Sequence, residues 1–264
     1  MAKNILEKIV DRKKEEVIEA KRNISENQLQ QHLYPVPGRR SFFKALKKPG
    51  QSGVNVIAEI KRASPSKGKI CENLDPEYYA AEYETGGAAA LSVLTDRTFF
   101  KGSIDDFKKA RSRVSIPVLR KDFLISSYQI YESAVVRADA VLLIVRILSR
   151  NQLRDYLGLC AELNLDALVE IHSREDIEAA IWAGAKLIGI NNRNLSSFKT
   201  DISTAVNLVS LLQPDQIPVA ASGISSRGDI DANLRAGINN FLIGESLVRS
   251  QSPSLFLKSL LHAP

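Results

Sequence analysis

Cysteine, histidine and tryptophan are scarce in this chain of 264 residues. The two cysteines, Cys71 and Cys160, lie far apart and lack C-x-x-C spacing, so neither a disulfide framework nor a zinc site is expected. We expect both thiols to be buried and unreactive. The three histidines show no metal-ligand spacing. Catalysis by a metal, by a Cys/His pair or by a Ser/His/Asp triad therefore has no support in the sequence.

Long apolar segments are absent as well. No run approaches the roughly 20 residues that cross a bilayer. The first residues, MAKNILEKIVDRKKEE, place charges where a signal peptide needs an apolar stretch. We therefore expect a cytoplasmic protein with no membrane partner. A G-x-G-x-x-G fingerprint is also missing after the first predicted strand, which argues against a dinucleotide-binding domain.

The net charge of +6 is not spread evenly along the chain. Residues 1 to 50 hold twelve Lys and Arg but only six Asp and Glu, and this difference accounts for the whole excess. Glu15, Glu16 and Glu19 lie at helical spacing from neighbouring lysines, a pattern typical of a salt-bridged helix surface. We therefore do not expect nucleic acid as a partner.

Short aliphatic runs alternate with amphipathic stretches from Val54 onward. Strand and helix alternation predicts a parallel sheet, and eight repeats are the number that closes into a (βα)8 TIM barrel of the α/β class. An open doubly wound sheet is the alternative, but the glycine fingerprint of its dinucleotide-binding version is missing. The eight runs cover residues 54–62, 88–95, 116–123, 140–145, 166–172, 187–192, 218–224 and 240–246.

We expect a single domain in two parts. Residues 1–53 are predicted to form a helical extension that packs on the barrel of residues 54–264. The extension begins with a charged amphipathic helix over residues 3–22, which has Ile5, Ile9 and Val17 among its apolar anchors, and continues as a polar, proline-containing segment. Several barrel helices are predicted to follow Asp or Ser N-caps, and the tail SPSLFLKSLL is predicted to be the eighth barrel helix.

Charged residues interrupt three of the apolar runs. Glu59 and Lys61 are two apart in the first run and so point the same way, while Lys121 and Glu170 belong to the third and fifth runs. Strands of a closed parallel barrel are buried on both faces, where an unpaired charge is costly. All four charges fall at or near the carboxyl ends of their runs, the face on which barrel enzymes build active sites. The pattern predicts acid-base chemistry by lysines and glutamates that shift each other's pKa.

Polar and small residues follow the last three runs. Asn191 and Arg193, after the sixth run, are candidate oriented donors. After the seventh and eighth runs, small residues allow backbone N–H groups to approach an anion, at the usual phosphate position of such barrels. His172, near the end of the fifth run, is interpreted as a turn residue. The predicted phosphate site is lined by Ser222, Gly223, Gly244, Glu245 and Ser246.

Six segments of the chain resemble the indole-3-glycerol phosphate synthase family: VIAEIKRASPSKG (56–68), LSVLTDRTFFKGS (91–103), LRKDF (119–123), LVEIH (168–172), IGINNRNL (188–195) and VAASGI (219–224). The match covers essentially the whole chain, and its EIKRxSPSKG segment is highly specific. The resemblance implies a cofactor-independent carbon-carbon lyase of tryptophan biosynthesis. Its small phosphorylated substrate is 1-(2-carboxyphenylamino)-1-deoxyribulose 5-phosphate, which is cyclised, decarboxylated and dehydrated to indole-3-glycerol phosphate. We expect a monomer or a weak dimer.

The resemblance also implies a role for each site residue. Lys121 matches the general acid that protonates the ribulose carbonyl during ring closure, and Glu170 matches the acid-base group of the dehydration. Lys61 matches the lysine near the anthranilate carboxylate, which is also a candidate second proton donor. Glu59 and Asn191 match residues that hold these groups and the substrate hydroxyls. Phe100 and Phe123 are candidates to line the pocket of the aryl ring. The residues that match the phosphate environment are Ser64, Gly223, Gly244 and Ser246.

Two other functions stay open on the sequence alone. A phosphoribosylanthranilate isomerase would use the same phosphate site, but it normally works with a Cys/Asp pair that LRKDF and EIKR do not suit. A barrel that has lost catalysis and only binds anionic ligands or RNA would fit the basic N-terminus and one departure from the family pattern. Ala221 stands in VAASGI where the family usually has a glutamate. The missing carboxylate bears on rate and substrate preference more than on the fold.

We expect the substitution Ala221→Glu to raise turnover, because it restores a carboxylate that can orient a lysine and the substrate. The measurement is kcat for indole-3-glycerol phosphate formation, with Ala221→Gln as a control of the same size without the charge. An increase confined to the glutamate variant is the expected result. No gain would mean that the site has re-optimised around alanine.

Overall fold

A closed barrel of eight parallel strands forms the centre of the structure, a computed structural model that describes residues 3–33, 39–194 and 198–262. Each strand pairs with the next along the chain, and the first closes the ring by pairing with the eighth. The predicted (βα)8 TIM barrel is therefore confirmed. The strands are β1 (Asn55–Ile60), β2 (Ala90–Leu94), β3 (Val118–Lys121), β4 (Ala140–Ile144), β5 (Asp166–Ile171), β6 (Leu187–Asn191), β7 (Ile217–Ala221) and β8 (Asn240–Ile243).

Three helices precede β1, and the others follow the strands on the outside of the barrel. They are α1 (Ile5–Asn23), α2 (Glu26–Gln31), α3 (Phe42–Lys47), α4 (Pro76–Thr85), α5 (Ile104–Arg113), α6 (Ser127–Val135), α7 (Arg150–Glu162), α8 (Arg174–Trp182), α9 (Ser203–Val209), α10 (Arg227–Leu234), α11 (Glu245–Arg249) and α12 (Pro253–Leu261). Asp75, Ser173 and Ser226 are the N-caps of α4, α8 and α10, and each accepts a backbone N–H of the first turn, as predicted. In the described part of the chain, no helix is both long and apolar enough to cross a membrane.

Two stretches contain more helix than the sequence predicted. The polar segment after α1 forms α2, because Ser25 and Gln28 make a reciprocal capping box, and α3, because Ser41 accepts the backbone N–H of Lys44. After β8 the chain forms two helices instead of one. Pro253 occupies the first turn of the second helix, α12. A backbone N–H in this turn has no partner within the helix, so proline, which lacks one, costs no hydrogen bond there.

The helical extension packs against both ends of the barrel interior. The α3 side chains Phe42 and Leu46 are fully buried and belong to the same apolar cluster as the barrel residues Ile57 and Leu168. Ile9 of α1 joins this cluster near the mouth, beside Phe123. Burial of one such side chain stabilises a fold by about 1.5 to 3 kcal/mol, so the extension contributes to the core that surrounds the barrel strands.

The charged face of α1 forms the predicted salt bridges. Arg12 lies 2.8 Å from Glu15 and 3.5 Å from Glu16, at the i,i+3 and i,i+4 spacing that the sequence indicated. Lys13, one of the lysines at helical spacing from these glutamates, also pairs with Glu16, but it does not lie on the exposed surface as expected. Its side chain is only 4% exposed, because it points towards the end of the barrel.

Lys13 is held there by carboxylates from two strand ends. Its Nζ lies 3.1 Å from Asp96 Oδ2, 2.9 Å from Asp122 Oδ1 and 2.7 Å from Glu16 Oε2. Burial alone would lower the pKa of Lys13, but Asp122 and Asp96 outweigh it and hold the pKa above its usual value. The lysine therefore stays charged and joins α1 to the ends of β2 and β3.

The two cysteines differ from each other. Cys160 is buried in α7, and burial raises its pKa to about 12, so the expectation of a buried, unreactive thiol is confirmed for this residue. Cys71 is partly exposed, and the prediction of burial was wrong for it. It lies in the loop before α4, and its Sγ is 3.8 Å from the hydroxyl of Tyr79.

The substitution Lys13→Met should lower the free energy of unfolding by about 3 kcal/mol, because it leaves Asp96 and Asp122 buried without their main cation. Urea titration followed by circular dichroism measures the change. Lys14→Met is the matched control, since Lys14 is the next residue of α1 and its side chain is 62% exposed. Equal stabilities of the two variants would show that the buried lysine is not an anchor.

Candidate active site

A cavity of about 600 Å³ opens at the carboxyl ends of the strands. Every candidate site residue from the sequence lines it, so the structure brings together residues from the ends of seven of the eight strands or from the loops that follow them. They are Glu59, Lys61, Ser64, Phe100, Lys121, Phe123, Glu170, Asn191, Arg193, Ser222, Gly223, Gly244, Glu245 and Ser246.

Two lysines and two glutamates form the polar centre of this cavity. Lys61 Nζ lies 2.8 Å from Glu59 Oε1, and Lys121 Nζ lies 3.6 Å from Glu59 Oε2. Lys121 is also 4.0 Å from Glu170 Oε2. The carboxylate of Glu59 thus lies between two ammonium groups, and Lys121 lies between two carboxylates.

This arrangement fixes the charge of its central groups. Burial alone would raise the pKa of Glu59, but Lys61 and Lys121 outweigh it and lower the pKa to about 2. Burial alone would lower the pKa of Lys121, but Glu59 and Glu170 hold it above its usual value. Lys121 therefore carries a proton at neutral pH and can donate it to a base that forms beside it.

Glu170 is held from a neighbouring strand. Asn191 at the end of β6 donates its side-chain N–H to Glu170 Oε1 at 3.0 Å, and the side chain of Glu170 is 6% exposed. The side-chain oxygen of Asn191, Oδ1, in turn accepts a hydrogen bond from the backbone N–H of Arg193 at 3.0 Å. These two bonds determine the orientation of the amide and leave the second oxygen of Glu170 directed towards Lys121.

The loop after β1 reaches across the mouth to Arg193. This loop contains a small antiparallel pair, in which Ala63 lies opposite Lys69 and Ser64 opposite Gly68. Arg193 donates a hydrogen bond to Ser66 Oγ in this loop. Ser66 lines the cavity but was not singled out in the sequence, although it belongs to the SPSKG segment that carries the family resemblance.

The small residues after β7 adopt a special backbone conformation. Ser222 and Gly223 have consecutive positive φ values of 68° and 80°. A Cβ on Gly223 would lie 2.5 Å from Thr200 Cγ2, so glycine is required there both by conformation and by space. Successive N–H groups in turns of this kind can form concave anion sites. Both residues belong to the phosphate site that the sequence predicts.

Two cations border the same end of the cavity. Lys67 Nζ is 3.9 Å and Arg249 Nε is 3.4 Å from Glu245 Oε1. Sequence reasoning named Glu245 for its backbone and missed both cations, because Lys67 lies in a loop and Arg249 at the end of α11. The carboxylate of Glu245 holds them beside Gly223 and Gly244, the small residues of this end.

The opposite end of the cavity is apolar. The rings of Phe100 and Phe123 lie with their centroids 5.9 Å apart at an angle of 39°. Ile5, Leu6 and Ile9 of α1 also line this end. The sequence identified Ile5 and Ile9 as apolar anchors of the helix, but the helical period alone does not say which surface an apolar stripe covers.

Ala221, the residue that departs from the family pattern, is at the carboxyl end of β7 and lines the cavity. It lies in register with Asn191 of β6 and Leu242 of β8. It is 5% exposed and packs in the interior apolar cluster. A longer side chain at this position would extend into the cavity between Asn191 and the phosphate end.

Gly244 allows the polar centre to form. A Cβ at this position would lie 2.7 Å from Glu59 Oε1, closer than such atoms pack, and 3.1 Å from Lys61 Nζ, a tight contact. The absence of a side chain at the end of β8 therefore leaves room for the Glu59–Lys61 ion pair. Among the described residues, no group of three or more His, Cys, Asp or Glu side chains is suited to hold a metal ion.

Comparison with known proteins gave one family. The sequence profile of the family described as "Indole-3-glycerol phosphate synthase" matches residues 6–260. A protein of that name from Desulfosudis oleivorans is 56% identical over 259 residues, which cover 98% of each chain. Another from Syntrophobacter fumaroxidans is 52% identical over 260 residues, also 98% of each chain.

A likeness to solved structures extends to the fold alone. Thiamine phosphate pyrophosphorylase from Pyrococcus furiosus superposes with a TM-score of 0.59 at 14% identity, over 79% of this chain and 94% of that one. The shared feature is the barrel architecture.

The substitution Gly244→Ala should reduce turnover at least tenfold while the fold is retained, because the added Cβ displaces Glu59 and Lys61 from each other. The measurement is kcat/KM for the formation of indole-3-glycerol phosphate, the reaction that gives the relatives their name. Circular dichroism confirms folding. Gly158→Ala is the control, since a Cβ at this helical position has no neighbour within 4 Å. If Gly244→Ala retains full activity, the close approach is not needed.

Proposed function

The chain belongs to the indole-3-glycerol phosphate synthase family, and on this basis we propose how the residues at the barrel mouth carry out the reaction. The protein is a carboxy-lyase of tryptophan biosynthesis that acts on a phosphorylated small molecule. It converts 1-(2-carboxyphenylamino)-1-deoxyribulose 5-phosphate to indole-3-glycerol phosphate by ring closure, decarboxylation and dehydration. The observation that carries the proposed mechanism is the position of Lys121 between Glu59 and Glu170.

Lys121 is the proton donor of the ring closure. As the aromatic carbon attacks the ribulose carbonyl, negative charge develops on the carbonyl oxygen, and a nearby ammonium group stabilises that charge and transfers its proton. The two carboxylates keep Lys121 protonated before the substrate reacts. Glu59 is a positioning residue here, because it holds Lys121 and Lys61 at 3.6 and 2.8 Å on its two oxygens.

Lys61 binds the anthranilate carboxylate until it leaves. Ring closure produces an iminium ion, which accepts the electron pair released when the carbon–carbon bond to the carboxylate breaks and carbon dioxide departs. A partly buried ammonium group beside the carboxylate holds it in the orientation needed for this step. We assign to Lys61 the further role of a second proton donor, and to Arg193 that of an additional cation for substrate binding, since both line the cavity.

Glu170 serves the dehydration. The hydroxyl group produced by ring closure leaves as water, and the neighbouring carbon loses a proton as the indole double bond forms. A carboxyl group within reach of both can give the first proton and accept the second. The hydrogen bond from Asn191 to Glu170 supports this assignment, because it fixes the orientation of the carboxyl group.

The two ends of the cavity fit the two ends of the substrate. Ser64, Ser222, Gly223, Gly244, Glu245 and Ser246 surround the phosphate, with their backbone N–H groups and hydroxyls as donors. Phe100 and Phe123 wall the aryl ring at the apolar end. The substrate therefore lies across the mouth, with its ribulose carbon chain over the lysine and glutamate centre.

We also propose the setting in which the enzyme works. It is a cytoplasmic monomer or weak dimer that needs no cofactor and no nucleic acid, and residues 1–53 form one domain with the barrel of residues 54–264. The burial of Ile9 and Phe42 in the same cluster as barrel residues supports the single domain.

Purified protein should form fluorescent indole-3-glycerol phosphate from the aminodeoxyribulose phosphate without added metal or nucleotide. Absence of product at saturating substrate would overturn the proposed reaction.

Lys121→Ala should lower kcat by about 10² to 10⁴, the usual range for a general acid. Lys121→Arg is the control for charge, because a guanidinium keeps the positive charge but holds its proton too tightly to donate it. If the arginine variant is as active as wild type, charge alone is sufficient and proton donation by Lys121 is wrong.

A further inference from the structure

The two phenylalanines at the apolar end of the cavity lie in loops, outside the strands and helices. Phe100 follows β2, and Phe123 follows β3. Loop residues lack the ladder of backbone hydrogen bonds that fixes a strand, so other contacts must set the position of the two rings. Those contacts come from buried charges that the mechanism above does not use.

A buried carboxylate near the start of each loop holds the backbone of its phenylalanine. Asp96 Oδ1 accepts the backbone N–H groups of Phe99 at 2.7 Å and of Phe100 at 3.1 Å. Asp122 Oδ1 accepts the backbone N–H of Phe123 at 2.8 Å. The side chain of Asp96 is 1% exposed and that of Asp122 is 3% exposed. The position of each ring therefore depends on the orientation of a carboxylate that water does not reach.

Lys13 of α1 is the cation that these two carboxylates share. Its Nζ lies 3.1 Å from Asp96 Oδ2 and 2.9 Å from Asp122 Oδ1. It also donates a hydrogen bond to Glu16 Oε2 at 2.7 Å, and the other oxygen of Glu16 accepts the hydroxyl of Thr98 at 3.1 Å. One buried side chain of α1 thus connects the loop after β2 with the loop after β3.

The two carboxylates depend on Lys13 to different degrees. Arg120 lies 3.5 Å from Asp122 Oδ2, and the same oxygen accepts the hydroxyl of Thr95. Burial alone would raise the pKa of Asp122, but Lys13 and Arg120 outweigh it and hold the pKa below its usual value. Among the described residues, Lys13 is the only side chain that forms an ion pair with Asp96. Loss of Lys13 would therefore affect the loop of Asp96 more than the loop of Asp122.

The same face of α1 reaches the apolar end directly. Ile9 precedes Lys13 by four residues, so the two side chains lie on one side of the helix. Ile9 lines the cavity and belongs to the same apolar cluster as Phe123, against which Phe100 also packs. The helix therefore supplies one wall of this end and, through Lys13, holds the loops that supply two others.

We propose that Lys13 is a positioning residue for aryl binding, because it holds the two carboxylates that fix the loops of Phe100 and Phe123. The proposal rests on the function proposed above, in which these rings wall the aryl group of the substrate. A buried carboxylate without a cation turns towards water or takes up a proton, and either change weakens its hydrogen bonds to the loop backbone. The rings then lose their positions, whereas the phosphate end, which follows β7 and β8, keeps its own.

The test compares two ligands by isothermal titration calorimetry. Indole-3-glycerol phosphate carries an indole ring and glycerol 3-phosphate does not, so the ratio of their dissociation constants reports the aryl end alone. Lys13→Met should raise the Kd of the indole ligand by about tenfold or more, because misplaced groups lose their contacts with it. The Kd of glycerol 3-phosphate should change less than about twofold, since it binds at the distant end. Lys14→Met, on the exposed side of α1, is the matched control and should leave the ratio unchanged.

The outcomes separate this proposal from the proposed function. If the wild-type protein binds the two ligands equally, the aryl end assigned in the proposed function is wrong, and the role of Lys13 falls with it. If wild type prefers the indole ligand and Lys13→Met keeps the same preference, the role of Lys13 alone is wrong. An equal weakening of both ligands would also overturn it, because the lysine would then support the whole fold.

A double-mutant cycle with Phe100→Ala tests whether Lys13 acts through the aryl wall. In a protein that already lacks this ring, Lys13→Met should weaken the indole ligand by less than about threefold more. A full additional loss would show that Lys13 acts elsewhere. Lys13→Arg should bind the indole ligand within about threefold of wild type, because a guanidinium can also pair with two carboxylates.

The stability of the variants does not limit the test. Calorimetry gives the number of binding sites separately from Kd, so an unfolded fraction lowers the first and leaves the second. If Lys13→Met does not fold, Lys13→Gln takes its place, since an amide can still donate to one carboxylate without supplying a charge. It should weaken the indole ligand by at least about threefold and leave glycerol 3-phosphate unchanged. An unchanged ratio in Lys13→Gln would overturn the proposal.

Discussion

Closure of the parallel barrel is the constraint on which the rest of the structure depends. It covers both faces of every strand, so the strand interiors must be apolar and charge is confined to the strand ends. Glu59, Lys121 and Glu170 obey this rule, because each lies at or next to the last residue of its strand. Parallel pairing brings all these ends to one face, and a polar centre forms there from residues far apart in the chain.

The same closure explains why the centre is strongly coupled. Its groups are shielded from water, so each ammonium depends on a carboxylate and each carboxylate on an ammonium or an amide. The site consequently has few independent parts. Lys61 and Lys121 share Glu59, while Lys121, Asn191 and His172 all border Glu170. A change in the charge of one group is felt by its neighbours before any substrate is bound.

The barrel and its lining could be predicted from the sequence, whereas contacts between distant elements could not. Eight apolar runs indicate eight strands, and charges such as Lys121 and Glu170 stand out in them because burial makes charge exceptional. The burial of Lys13, the contact of Ser66 with Arg193 and the cations of the phosphate end depend on how loops and helices pack. The period of a helix predicts which of its faces is apolar, but not which element that face packs against. Loop residues have no period from which contacts could be predicted.

The ion pairs of Lys13 join parts of the chain that are made at very different times. Asp96 and Asp122 follow it by 83 and 109 residues, yet they are its main partners. On a ribosome, α1 leaves the exit tunnel long before these carboxylates exist, and its apolar residues Ile5 and Ile9 have no surface to cover. The helix that closes the apolar end of the active site is thus held by carboxylates that are synthesised after it, and this end is complete only once they are in place.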